Sequence, residues 1–260
     1  MIIETHAHYD DLKFDEDRGD LLLSLSENNI KRVVNVGSSV ASCKRTLELS
    51  RAYDFIYAAI GIHPTDTAEL DEELFSSIEG MVLNRRPEDK VIAVGEIGLD
   101  YNSEEPSPEY QKDWFIRQLD LARRSQLPVI IHSRDAAKDT LDIMKAERAG
   151  EIGGVVHCFS YSLEMAREYL NMGFYIGVGG VVTFKNGRKL QEVVENIPLQ
   201  SIVLETDCPY LSPVPLRGSR NSSINLKYVT EKIAQLKGIT IEEVERVTWD
   251  NACRMYRIQV

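Results

Sequence analysis

The sequence predicts a (β/α)8 barrel, a TIM barrel in one domain over residues 1-260 with an extra C-terminal helix. Three observations carry that prediction. Eight short apolar runs recur at 2-6, 31-37, 56-61, 91-96, 128-132, 154-157, 174-178 and 201-207, with helix-forming stretches between them. The runs are near-continuous Val, Ile and Ala rather than alternating, as parallel strands covered on both faces require. The length, 260 residues, suits one such barrel, which takes about 250. An antiparallel sandwich is disfavoured on the same pattern.

In chain order, the first run, Ile2-Ile3-Glu4-Thr5, ends on His6 and His8. The second spans 31-37, and the third, Tyr57 to Gly61, is followed by His63. The fourth, Val91 to Gly95, delivers Glu96. Ser107 before Pro108 is a helix start; beyond it Trp114, Leu119, Leu121 and Ala122 form an apolar side, and Lys112, Arg117, Arg123 and Arg124 a polar one. The fifth run ends on His132 and the sixth on His157. Ser162 opens a helix over 162-172, which Gly173 closes as a C-terminal cap. The seventh run leads to Gly179-Gly180, and the eighth, Ile202 to Thr206, ends on Asp207. A proline-rich stretch from Pro209 to Pro215 then precedes helices near 223-237 and 240-256. Right-handed crossovers are expected throughout, and no linker or low-complexity run divides the chain.

Composition narrows the function. No apolar run approaches the ~18 residues that span a bilayer, and the start Met1-Ile2-Ile3-Glu4 lacks a signal pattern, so a cytoplasmic protein without membrane association is expected. Cys43, Cys158, Cys208 and Cys253 form no Cys-x-x-Cys pair and are expected to be buried free thiols. Thirty basic against 41 acidic residues give a net charge of -11, which argues against a protein that coats nucleic acid. It leaves room for a local pocket where bound cations and a few arginines reverse the potential.

All five histidines lie where predicted strands end, and Glu96 and Asp207 repeat that placement. A barrel of this kind builds its active site at the carboxyl ends of its strands. His6 and His8, two apart, point to one face of their strand. Each histidine alone reads more readily as a hydrogen-bonded residue in a wet barrel mouth. Together, six N/O donors are too many for one tetrahedral ion and suit two divalent ions. His6, His8 and Asp207 are expected to hold one, His132 and His157 the second, and Glu96 to bridge them. Mixed imidazole and carboxylate donors accept Zn, Mn or Fe, and Mg more weakly.

The segments Glu4 to Asp10, Gly61-Ile62-His63-Pro64, Val94 to Tyr101, His132 to Ala136, His157-Cys158-Phe159-Ser160 and Glu205 to Leu211 resemble, in order and spacing, the TatD family of metal-dependent deoxyribonucleases. The resemblance runs from residue 2 to about 256. It implies a barrel of the amidohydrolase-like superfamily with a divalent metal centre that hydrolyses DNA phosphodiesters, notably as a 3′-to-5′ exonuclease on single-stranded DNA. By motif position it implies the same ligands: His6, His8, Glu96, His132, His157 and Asp207. Two departures stand out. Glu4 replaces the family's usual Asp, and Arg217-Gly218-Ser219-Arg220-Asn221 continues into Ser222-Ser223 instead of an acidic residue and proline.

For phosphodiester hydrolysis, Asp207 is expected to be both ligand and proton acceptor for the attacking water, and Glu96 the bridging catalytic carboxylate. His63 is expected either to contact the scissile phosphate or protonate the leaving oxygen, or else to cap the turn at Pro64. Arg134, Arg217 and Arg220 are expected to bind substrate phosphate, and Glu205 to support the ligands from behind or serve as a buried hydrogen-bonding partner. Tyr101 and Phe159 offer stacking faces for bases or packing against loops, and Gly179-Gly180 a phosphate approach or a tight turn. Two other readings stand beside the nuclease. One is a metal-dependent deacylase or amidohydrolase acting on aminoacyl-tRNA esters or a small metabolite, although many two-ion amidohydrolases have a modified lysine where this chain has Glu96. The other is a non-enzymatic barrel with a vestigial metal site, which would be free to lose ligands, and none is missing.

Overall fold

The computed structural model describes residues 1–259. The chain alternates β1 (Ile2–Ala7), α1 (Arg18–Ser24), β2 (Ile30–Val36), α2 (Val40–Ala52), β3 (Ile56–Ile60) and α3 (Glu72–Leu83). It continues through β4 (Val91–Asp100), α4 (Pro108–Ser125), β5 (Val129–Arg134), α5 (Ala137–Ala146), β6 (Gly154–Val156) and α6 (Leu163–Asn171). The last third holds β7 (Tyr175–Val178), α7 (Arg188–Asn196), β8 (Ile202–Leu204), α8 (Leu226–Lys237) and α9 (Ile241–Tyr256). The eight strands pair in parallel in sequence order. The ring is completed beyond β8, where Ala7 bridges Cys208, the Asp207 amide donates to His6 O and the His8 amide donates to Cys208 O. This is the predicted TIM barrel with its extra helix, α9.

Local sequence explains the starts and stops. Ser107 and Ser162 cap α4 and α6 by accepting the Tyr110 and Met165 amides, and Gly173 follows α6 at φ +82°. Two strand ends differ most from expectation. β4 runs past Glu96 to Asp100, because Ile97 to Asp100 continue to pair with β5. β8 stops at Leu204, so Glu205, Thr206 and Asp207 lie beyond it. The helix expected over 223-237 opens as a 3-10 turn, Ser223–Asn225, before α8.

Two apolar layers form. One lies between the barrel and its outer helices; the other fills the lower barrel interior. Ile3, Val34, Ala59, Ala93, Ile130, Val155 and Val203 form this inner layer with Trp249, Ala252, Cys253, Met255 and Tyr256 of α9. α9 therefore closes the end of the barrel where the strands begin. Side chains two residues further on share the same strand face, which carries Ile130 to His132, Val155 to His157 and Val203 to Glu205. No helix among the described residues is long and apolar enough to cross a membrane. All four cysteines are free, with Cys43, Cys208 and Cys253 buried and Cys158 half-buried.

Candidate metal centre

At the carboxyl end of the strands the structure brings together all six predicted ligands. Glu96 lies at the centre, 4% exposed, with its two carboxylate oxygens facing different partners. Oε1 is 2.6 Å from His132 Nδ1 and 2.9 Å from His157 Nε2. Oε2 is 3.4 Å from His6 Nε2 and 3.8 Å from His8 Nε2. Asp207 Oδ1 joins the second group, 3.2 Å from His8 Nε2 and 3.7 Å from His6 Nε2. The strand-end backbone helps to aim these groups. Asp207 and Cys158 adopt φ of +59° and +44°, a left-handed geometry that side chains other than glycine rarely take. At Gly98 a Cβ would collide with the His132 carbonyl oxygen, so glycine lets β4 and β5 approach where His132 must face Glu96.

The donors fit divalent cations. His6 Nε2 and His8 Nε2 face each other at 3.1 Å, an approach satisfied by a shared proton or by convergence on a cation. His6 Nδ1 and His157 Nδ1 are buried with no hydrogen-bond partner. His8 Nδ1 lies 2.8 Å from Val36 O and donates to it, which turns the Nε2 lone pair toward the site in the neutral ring. Burial opposes charge on His8, yet Asp207 and Glu96 outweigh it and lift its pKa to about 9, so a proton takes the position suited to a metal. Burial likewise opposes charge on Glu96, but the imidazoles around it, His157 foremost, hold it well below the usual carboxylate range. The cluster opens into a cavity of about 820 Å³ lined by six carboxylates (Asp10, Asp11, Asp66, Glu96, Asp100 and Asp207) and two guanidiniums (Arg45 and Arg134).

His63 lies beside the cluster, its Nε2 3.8 Å from Glu96 Oε1 and its ring edge-on to His132. Burial, with His132 next to it, pulls its pKa down to about 3. Glu205 is buried behind His157, its Oε1 accepting the Cys158 amide and lying 3.6 Å from His157 Nδ1. Of the three predicted arginines, Arg134 lines the cavity. Arg220 is committed to Asp17 and to Lys13 O, and Arg217 stacks over Phe184, so neither is brought to the cavity wall. Phe159 is 2% exposed and packs against Tyr161 and Tyr169, leaving no face for a base, while Tyr101 donates to Asp139. Gly180 packs against Leu211 O in a 3-10 turn, consistent with the tight-turn reading. Glu4, the departure from the family pattern, is fully buried and accepts the His6 and Thr206 amides and the Thr206 hydroxyl, fastening β1 to the segment that carries Asp207.

Among the cavity groups not singled out from sequence, two touch the cluster or its wall through defined partners. Asp100 Oδ2 lies 3.1 Å from His132 Nε2, the ring nitrogen opposite the one facing Glu96, and orients that imidazole. Its signal was the even spacing from Glu96 along one strand. Arg45, from α2, lines the wall and donates through Nε to Asp10 O.

Fold and site together define a (β/α)8 barrel with a cluster of His, Glu and Asp donors able to hold divalent metal at its carboxyl rim. The chain matches the family described as TatD related DNase over residues 3–257. It is 43% identical over 258 residues to YabD of Bacillus subtilis (strain 168), described as an uncharacterized metal-dependent hydrolase, covering 99% of this chain and 100% of that one. It is 34% identical over 262 residues to YcfH of Escherichia coli (strain K12), which carries the same description, covering 99% of this chain and 96% of that one. Among solved structures, YJJV, a TATD homolog from Escherichia coli K12, superposes with a TM-score of 0.94 at 30% identity, covering 99% of this chain and 98% of that one. The chain belongs to the TatD related DNase family.

Proposed function

We propose that this chain is a metal-dependent hydrolase that cleaves DNA phosphodiesters, working 3′ to 5′ on single strands. His6, His8 and Asp207 would hold one divalent ion, His132 and His157 a second, and Glu96 both. The observation that carries this reading is the division of the Glu96 carboxylate, one oxygen facing His132 and His157 and the other facing His6 and His8. Such a pair of ions supplies Lewis acidity toward a phosphoryl oxygen and toward water.

The chain's own groups supply the rest. Asp207 extends its carboxylate into the cavity and accepts the proton of the attacking water. Arg134, exposed and free of ion pairs among the described residues, binds a phosphate oxygen from the rim. Tyr210 and Leu211, 44% and 38% exposed at the mouth, give nucleobases an apolar surface without sequence preference. Asp100 orients His132 through Nε2, and Glu205 lies within ion-pair distance of His157 Nδ1.

A substrate panel tests the reading. The protein is stripped with a chelator, resupplied with magnesium, manganese, zinc or iron(II), and offered a 3′-labelled single strand and a D-aminoacyl-tRNA ester. Metal-dependent release of labelled nucleotide is the expected result. An untouched strand beside a cleaved ester would replace the nuclease with the deacylase.

A further inference from the structure

The Glu96 cluster accounts for four of the five histidines. The fifth, His63, stands at the start of a 3-10 turn, Pro64–Glu69, with its ring folded onto that turn. Nδ1 accepts the Thr65 amide at 3.2 Å, and Thr65 Oγ1 lies 2.7 Å from the same nitrogen. Pro64 has no amide hydrogen, so the Thr65 amide is the first one the ring meets. The His63 amide is itself fixed on Ser38 O. A nitrogen that receives an N–H must present its lone pair, and a neutral imidazole with its lone pair on Nδ1 carries its proton on Nε2.

We propose that His63 is a fixed hydrogen-bond donor, a neutral imidazole bearing its proton on Nε2, and that the Thr65 amide thereby bars it from coordinating metal. His8 is the internal contrast. Its Nδ1 gives a proton to Val36 O, so its Nε2 keeps a lone pair for a cation, whereas His63 Nδ1 takes a proton from Thr65 and Nε2 points an N–H into the same cavity. His63, Asp100 and His132 bring three donor atoms within 4.8 Å of one another and resemble a further cation site. Filling it through His63 would move the proton to Nδ1, against the Thr65 N–H. The Nε2–H instead suits an oxygen that gains negative charge during reaction, a phosphoryl oxygen on the proposed reading. It acts by hydrogen bonding, and no proton leaves the ring. Capping the Pro64 turn and contacting substrate are therefore two ends of one ring.

The catalytic half of this inference rests on the proposed hydrolase reading; the tautomer half does not. The test is long-range 1H–15N correlation of the histidine rings in the full-length protein, before and after addition of zinc. His63 should show an unprotonated Nδ1 and a protonated Nε2 in both states, and Thr65→Val, which keeps the amide and loses the hydroxyl, should not change that signature. His63→Ala should bind as much zinc as the parent while hydrolysing bis(p-nitrophenyl) phosphate roughly 10²–10³-fold more slowly, with His63→Gln recovering part of the loss. A protonated Nδ1, a zinc-coordinated Nε2, a signature lost with the Thr65 hydroxyl, or zinc lost in His63→Ala overturns the inference. If the parent hydrolyses no phosphodiester, the phosphodiesterase reading fails, and the ring signals and zinc stoichiometry still decide the tautomer.

Discussion

The lower and upper halves of the barrel interior are built on the same strand faces and differ in what they leave unsatisfied. Below, Ile130, Val155 and Val203 meet Met255 and Tyr256 of α9 in a dry layer. Two residues further along those strands stand His132, His157 and Glu205, and there His157 Nδ1 and Glu205 Oε2 are buried without a hydrogen-bond partner. A step of two residues thus changes the interior from a layer complete in itself to one completed from outside. Stability and function are separated along the strand, not between domains, and each end can be perturbed to test how far that separation goes.

The largest effect belongs to the upper end. Glu96→Ala removes the group both ions would share, so turnover should fall by ~10³-fold or more. The lower layer should still hold the fold, and the metal-free variant should melt close to the parent. Ligand linkage adds a second readout: saturating metal at about 100 Kd stabilises a folded protein by ~2.7 kcal/mol. The parent should gain thermal stability on loading and Glu96→Ala should gain little. Activity retained in the variant, or an equal thermal gain, would remove the bridging role.

The reverse perturbation is Met255→Ala in α9, where the side chain is 6% exposed. Truncating such a group costs about 2–5 kcal/mol, measured by urea unfolding of the metal-free protein. Metal affinity and turnover per folded molecule should be unchanged, since the ligands are carried by strand ends at the other side of the barrel. A matching loss of metal affinity would show that the two halves are coupled through the strands and would break the comparison.

How much of each end could be read from the chain follows the same division. His132 and His157 announce themselves because each follows directly on a short β-branched run, and the lower layer follows from the apolar character of those runs. Asp100 was hidden because the apolar run stops at Glu96 while β4 continues through Gly98 by pairing with β5, a property of the partner strand. Arg220 has the composition of a phosphate binder, yet Asp17 claims its guanidinium across 203 residues of sequence. The opposite roles of His8 and His63 depend on which backbone group meets Nδ1, a carbonyl from β2 or an amide from the following turn. Strand-end placement is local and legible; the partner that decides a side chain's state is contributed by another segment and is not.

The smallest expected effect lies at the lower end and concerns charge. Asp89, 5% exposed just before β4 begins, is a buried carboxylate matched by donors on both oxygens. Its carboxylate accepts the Arg86 amide at 2.8 Å, Arg51 Nε at 2.7 Å and Arg86 Nη2 at 3.3 Å. Burial pushes its pKa up, but these donors outweigh burial and hold it below the usual carboxylate value. A depressed folded pKa contributes stability that is present above the unfolded value, ~3.9, and is lost as pH falls through the folded one. Asp89→Asn should therefore cost about 2 kcal/mol at neutral pH, as for a hydrogen bond to a charged group, and parent and variant should converge only below about pH 4. Urea unfolding of both proteins across that range measures the gap. A gap that closes well above pH 4 would mean that Asp89 is not held ionised by its donors, and that the lower end carries an unmatched polar group like those around Glu96.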